Sequence, residues 1–141
     1  MCASRVDVVF VIDASGSISF EHFRRILDFV SQLVARITSA NDDPSDPRTR
    51  VSILAYSDEP DPIMFLNDFE MARDLQLRDV MPERARTNTH LALEYARDVM
   101  LSTRLGNRPA VVDRIVVISD GESTDPRATQ SIATSVRTHL V

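Results

Sequence analysis

The residues best suited to chemistry form the stretch Asp13-Ala14-Ser15-Gly16-Ser17, with a carboxylate and two hydroxyls at every second position. An apolar run over residues 6–12 precedes this stretch, and a helical pattern follows it. From these residues alone, three interpretations are open: helix capping, a catalytic nucleophile and a metal site.

Two further polar clusters follow apolar segments. Thr87-Asn88-Thr89 opens a predicted helix, and Asp120-Gly121-Glu122 follows a predicted strand. Taken singly, each cluster could be a helix cap or a plain turn. Ligands of open α/β sheets bind beyond the carboxyl ends of the strands, so the three clusters converge if their strands are neighbours. The candidate ligand atoms of the three clusters are all oxygens, which disfavours binding of zinc, copper or iron. Such a set suits Mg²⁺ or Mn²⁺ with a position open for a partner's carboxylate.

Hydrophobic periodicity predicts the elements that must position these clusters. Strands are expected over 6–12, 50–56 and 112–119, the first and last of them buried, with an antiparallel edge strand over 63–66 after a turn at 58–62. Helices are expected over 20–37, capped by Ser19, and over 70–80, 89–101 and 126–139, the last capped by Asp125. This order predicts a doubly wound, Rossmann-like α/β fold with a mainly parallel sheet flanked by helices.

Composition limits the classes of function. A chain of 141 residues is the size of one domain. The net charge of −5 and the absence of a basic cluster disfavour nucleic-acid binding. No apolar run approaches the roughly 18 residues needed to span a bilayer, so membrane insertion is not expected.

Several segments together resemble one known family. The stretch DASGS at 13–17 resembles the D-x-S-x-S motif of von Willebrand factor type A domains, also called integrin I-like domains. RTNTHLALEYA at 86–96 is similar to the family's threonine-bearing loop and following helix, and IVVISDGESTD at 115–125 to its strand and last aspartate. The resemblance covers nearly the whole chain in the right order.

The resemblance implies a metal-ion-dependent adhesion site for Mg²⁺ or Mn²⁺. Ser15 and Ser17 would bind the cation directly. Asp13 and Asp120 would bind it directly or through water. Thr87 would also bind it directly or through water. A glutamate or aspartate of a protein ligand would complete the coordination. The residues expected to rim the site are Gly16, Asn88, His90, Gly121 and Glu122.

Among relatives, the opening of the chain is most similar to the extracellular-matrix branch of matrilins and collagens. That branch implies a secreted or cell-surface protein, with Cys2 as half of a disulfide. The resemblance also implies that residues 1–141 form a single type A domain without the last strand and helix of the family fold. We therefore expect the strand at 112–119 to expose an apolar edge through which the chain self-associates.

Two alternatives to an adhesion module stay open, an enzyme and an intracellular assembly domain. One is a Mg²⁺-dependent phosphoryl-transfer enzyme with Asp13 as nucleophile, although the chain has no Lys to hold a phosphate. A hydrolase using Ser15 is weaker, since the chain lacks the G-x-S-x-G elbow. The other is an intracellular type A assembly domain. We expect a binding module and not an enzyme.

Overall fold

The sheet is built around its first strand, β1 (Val6–Asp13). The computed structural model describes residues 5–15, 19–40, 43, 45–68, 86–119 and 126–139, with side chains of the last helix described up to residue 134. β1 pairs in parallel with β2 (Thr49–Tyr56) on one side and β4 (Val112–Ile118) on the other. β3 (Pro60–Met64) runs antiparallel to β2, which gives the order β3-β2-β1-β4. The predicted mixed, mainly parallel sheet is confirmed.

Helices cover both faces of the sheet because β1 is apolar on both faces. Val8, Phe10 and Ile12 contact one core and Val9 and Val11 the other, as the period of two in a strand requires. Helix α1 (Phe20–Ser39) packs on the first face, and helix α2 (Thr89–Tyr95) on the second. The buried residues of α1 are Phe23, Leu27, Val30 and Val34.

The helix ends follow local chemistry. The Ser19 hydroxyl accepts a hydrogen bond from the His22 amide at 3.2 Å, which confirms Ser19 as the cap of α1. α2 continues into a π-helical turn over Ala96–Met100, so the predicted helix at 89–101 is present with a wider last turn. A 3₁₀ turn at Thr103–Leu105 then ends at Gly106, whose φ of +106° favours glycine.

The last described helix, α3 (Pro126–His139), packs against α2. None of the described helices is long and apolar enough to cross a membrane. The predicted helix at 70–80 and the predicted cap Asp125 lie outside the described residues.

Two predictions about strands were wrong in detail. The predicted turn at 58–62 is shorter, because β3 pairs with β2 from Pro60 onward, opposite Tyr56. β4 is not buried as predicted: Val112, Val116 and Val117 are 44%, 40% and 41% exposed. The reason is its place at the sheet edge, where no strand in the described part of the chain pairs with its outer side. This exposure agrees with the apolar edge that the family resemblance led us to expect.

A buried ion pair fixes the end of the sheet at which the parallel strands begin. Asp7 of β1 is fully buried, and the Arg108 guanidinium donates to its Oδ1 through Nε at 2.9 Å and Nη2 at 2.6 Å. The Arg108 amide donates to Oδ2 at 2.8 Å. The same guanidinium donates to the carbonyls of Pro47 and Arg48 at 2.8 and 3.0 Å. Arg108 therefore joins the segment before β4 to the starts of β1 and β2.

We expect Arg108→Ala to lower the free energy of unfolding by about 3–5 kcal/mol, because it leaves the buried Asp7 carboxylate without its cation. Chemical denaturation measures this loss. The control is Arg5→Ala, which breaks a 2.9 Å pair with Asp46 whose side chains are 49% and 46% exposed. The control should change stability by less than about 1 kcal/mol. Equal losses in the two variants would contradict this role for Arg108.

Candidate functional site

Asp13 ends β1 at the edge of the sheet where the parallel strands finish. Its side chain is fully buried, and Ser15 is 1% exposed. The Ser15 amide donates to Asp13 Oδ1 at 2.8 Å, which closes a tight turn as the chain leaves the strand. Asp13 and Ser15 thus lie together at the carboxyl end of the central strand, as the sequence predicted.

Ser119 is a contact of Asp13 that the sequence analysis missed. Its hydroxyl donates to Asp13 Oδ2 at 2.8 Å. In the parallel register Ile12 lies beside Ile118, so the next residues, Asp13 and Ser119, are neighbours. The signal was a hydroxyl residue at the end of the apolar run, but its use depends on knowing that β1 and β4 are adjacent.

The loop that carries Thr87 is fastened to the turn after β2. The Arg86 amide donates to Asp58 Oδ1 at 3.0 Å, and the Asn88 amide donates to the Ser57 carbonyl at 3.0 Å. Asn88 Nδ2 also donates to the Asp58 carbonyl at 3.0 Å. Thr87, between these anchors, is 9% exposed. The loop therefore lies at the carboxyl end of β2.

The same edge of the sheet carries Asp13. The Ala14 amide donates to the Tyr56 carbonyl at 2.8 Å, so the ends of β1 and β2 are joined directly beside the Asp13 carboxylate. The Thr87 loop and Asp13 are thus both fastened to the residues that end β2.

Thr89 faces the core at the start of α2. Its hydroxyl lies 3.1 Å from the Tyr56 hydroxyl, and both residues are buried. Tyr56 is the last residue of β2 and lies beside Asp13 in the parallel register. This contact ties the first turn of α2 to the strand next to the site.

Neither Ser15 nor Thr87 occupies the cap position of its helix. The cap of α1 is Ser19, and α1 begins at Phe20, several residues after Ser15. The cap position of α2 is Asn88, whose side chain makes no capping hydrogen bond. Ser15 and Thr87, both buried, thus precede the residues at which the helices start.

The remaining predicted site residues divide into two groups. His90 lies in the first turn of α2, partly buried, and its buried Nδ1 has no hydrogen-bond partner among the described residues. The predicted residues that lie outside the described ones are Gly16, Ser17, Asp120, Gly121 and Glu122.

Four side chains that the described contacts place along this edge carry oxygen atoms. Asp13, Ser15, Thr87 and Ser119 supply one carboxylate and three hydroxyls. Over the described ranges, no three His, Cys, Asp or Glu side chains are grouped so that they could hold a metal ion. A cation here would thus depend on hydroxyl ligands, which hard cations accept and zinc sites seldom use.

Comparison with known proteins gives the family. The model of the von Willebrand factor type A domain matches residues 7–140. The chain belongs to this family.

The curated relatives of this type A domain include extracellular-matrix and cell-surface proteins. It is 36% identical over 128 residues to integrin alpha-2 of Mus musculus, covering 88% of this chain and 10% of that protein. It is 33% identical over 138 residues to the collagen alpha-6(VI) chain of Homo sapiens, covering 94% of this chain and 6% of the collagen. The chain therefore spans only a small part of the relatives that it matches.

Solved structures share the type A fold. One is proximal thread matrix protein 1 from the mussel byssus, with zinc in its metal-ion-dependent adhesion site (MIDAS) motif. It superposes with a TM-score of 0.82 at 21% identity, covering 99% of this chain and 37% of that one. Three N-terminal domains of the pilus tip protein Mfa5 from Porphyromonas gingivalis give a TM-score of 0.66 at 25% identity, covering 85% of this chain and 20% of that one.

We expect Ser119→Ala to lower the free energy of unfolding by about 1.5–3 kcal/mol, since a buried carboxylate loses one hydrogen-bond donor. Urea denaturation of the metal-free protein measures the change. The control is Ser45→Ala, which removes a 2.7 Å hydrogen bond to Asp43 in an exposed loop and should cost less than about 0.5 kcal/mol.

The control has a second readout. The Ser45 hydroxyl is the largest cause that lowers the pKa of Asp43. Ser45→Ala should therefore raise the pKa of Asp43, as NMR titration would report. If Ser119→Ala costs no more than this exposed control, Ser119 does not hold the Asp13 carboxylate in place.

Proposed function

We propose that this type A domain is a cation-dependent protein-binding module. A Mg²⁺ or Mn²⁺ ion binds at the carboxyl edge of the sheet, and a glutamate or aspartate of a protein ligand binds the open position on the ion. The proposed ion ligands, direct or through water, are Asp13, Ser15, Ser17, Thr87 and Asp120. The proposed rim of the binding surface is Gly16, Asn88, His90, Gly121 and Glu122.

The observation that carries this proposal is a buried carboxylate that has no cationic partner among the described residues. Asp13 is fully buried, and within the described ranges no arginine or histidine forms an ion pair with it. Asp7, equally buried in the same strand, has Arg108. A buried charge needs a partner, and a divalent cation beside Asp13 would be that partner.

The neighbouring donors suit a small hard cation. Among the described donors, one hydrogen bond reaches each carboxylate oxygen of Asp13, and each of these oxygens has a second lone pair that an ion or its waters could use. Ser15 and Thr87 add hydroxyl oxygens to a single carboxylate. Such a set leaves several positions of an octahedral ion to water or to an anionic ligand.

Relatives support the class of partner and the location. Integrin alpha-2 and the collagen VI chain are proteins of the cell surface and extracellular matrix, and the mussel byssus protein holds zinc in its MIDAS motif. We place this domain outside the cell, with a matrix or cell-surface protein as its partner. In this role it binds and does not catalyse.

Calorimetric titration with Mn²⁺ and Mg²⁺ tests the proposal. Ser15→Ala and Thr87→Ala should each weaken cation affinity by at least roughly 10-fold, since each removes an oxygen ligand. Thr89→Ala is the matched control because its hydroxyl faces Tyr56. The control should bind within about threefold of the unsubstituted chain. A folded protein that takes up no cation would refute the proposal, and so would equal losses in Thr87→Ala and Thr89→Ala.

We also propose that copies of this chain self-associate along β4. Its exposed valines lie on both faces of an edge strand that contains neither Pro nor Lys. Sedimentation should show concentration-dependent association that Val117→Arg reduces. Phe29→Ser, which changes a 58% exposed side chain on α1, should leave it unaltered. A monomer at every concentration, or equal effects of the two variants, would count against this edge.

A further inference from the structure

A groove lies beside the candidate cation site, between the turn after β2 and the outer side of α2. Its volume is about 420 Å³. Its apolar lining consists of Pro60, Leu91, Tyr95 and Val99, and its acidic lining of Glu59, Glu94 and Asp98. It adjoins the Thr87 loop, because the turn residue Asp58 accepts the hydrogen bond from Asn88.

The helical side of the groove has two parallel rows. Leu91, Tyr95 and Val99 recur every four residues and form the apolar row, with Glu94 and Asp98 as the adjacent acidic row. Asp98 and Val99, the last member of each row, lie in the π-helical segment. The hydrogen bond from the Leu101 amide to the Ala96 carbonyl, at 3.0 Å, spans this segment. Single π turns are frequent where helices carry functional sites.

Glu59 and Glu94 keep negative charge available for a ligand, whereas Asp98 is paired with Arg97. Arg97 donates to Asp98 through Nε at 2.6 Å and Nη2 at 2.8 Å, and this contact raises the pKa of Arg97. No ion pair among the described residues involves Glu59 or Glu94, and both are exposed. The groove therefore combines an apolar floor with a net negative rim.

The strand beside the groove limits how a partner can dock. β3 is an edge strand, but two of its five residues, Pro60 and Pro62, lack an amide hydrogen. Addition of a further strand along this edge would miss backbone hydrogen bonds. A partner must thus bind mainly through side chains that fit the floor and the rim.

We propose that this groove docks a basic amphipathic segment of a protein partner. Apolar side chains of the segment rest on Leu91 and Val99, and its arginines or lysines face Glu59 and Glu94. The ring of Tyr95 offers an additional surface for an arginine. This contact needs no metal ion, and so it is separate from the proposed cation-dependent function.

Fluorescence anisotropy with a short labelled peptide of alternating Arg-Arg and Leu-Leu pairs tests the proposal on the full chain in EDTA. The triple variant Glu59→Gln, Glu94→Gln and Asp98→Asn should weaken binding by about 10-fold. The control triple Glu21→Gln, Asp28→Asn and Asp43→Asn makes the same change in net charge at exposed positions away from the groove. The control should stay within about twofold of the unsubstituted chain.

Further variants separate the possible outcomes. Leu91→Ser should weaken binding, whereas Phe29→Ser on α1 should not, and both variants must keep a cooperative melt. Equal weakening in the two triple variants would show non-specific attraction and overturn the proposal. So would the absence of saturable binding, a requirement for Mg²⁺, or equal binding of a peptide with glutamine in place of arginine.

Discussion

The structure depends on one constraint: β1 is a central strand with a fully buried carboxylate near each end. Burial of a charge is costly unless another group balances it. Asp7 is balanced by Arg108 and the loop amide. Asp13 has only the Ser15 amide and the Ser119 hydroxyl among the described donors. The two ends are therefore not equivalent, and the proposed cation belongs to the end where no described arginine forms an ion pair with the buried carboxylate.

The elements around each end of β1 reflect this difference between Asp7 and Asp13. At the Asp7 end, Arg108 reaches the starts of β1 and β2 and closes the sheet with protein groups alone. At the Asp13 end, Tyr56 and Asp58 hold the first turn of α2 and the Thr87 loop against the end of β2. One end is thus closed by an internal ion pair, and the other presents oxygen atoms where strands and loops meet.

The sequence was sufficient for the architecture and for part of the site. Apolar runs and helical periodicity predicted α1, α2 and the four strands, and the polar residue ending β1 pointed to Asp13 and Ser15. It did not predict the Asp7–Arg108 pair, whose members are 101 residues apart, or Ser119, because both depend on strand register. Asp7 was itself a signal, since an acid inside an apolar strand needs a partner. The π turn was missed because its residues fit an ordinary helix equally well.

The most direct test of the central claim is to locate the ion. Crystals grown with Mn²⁺ should give an anomalous-difference peak at the carboxyl end of β1, in contact with the Ser15 hydroxyl and beside the Asp13 carboxylate. A peak against Glu59, Glu94 and Asp98, or no peak in a well-ordered crystal, would contradict the account. In that case the buried charge of Asp13 would have to be balanced without a cation.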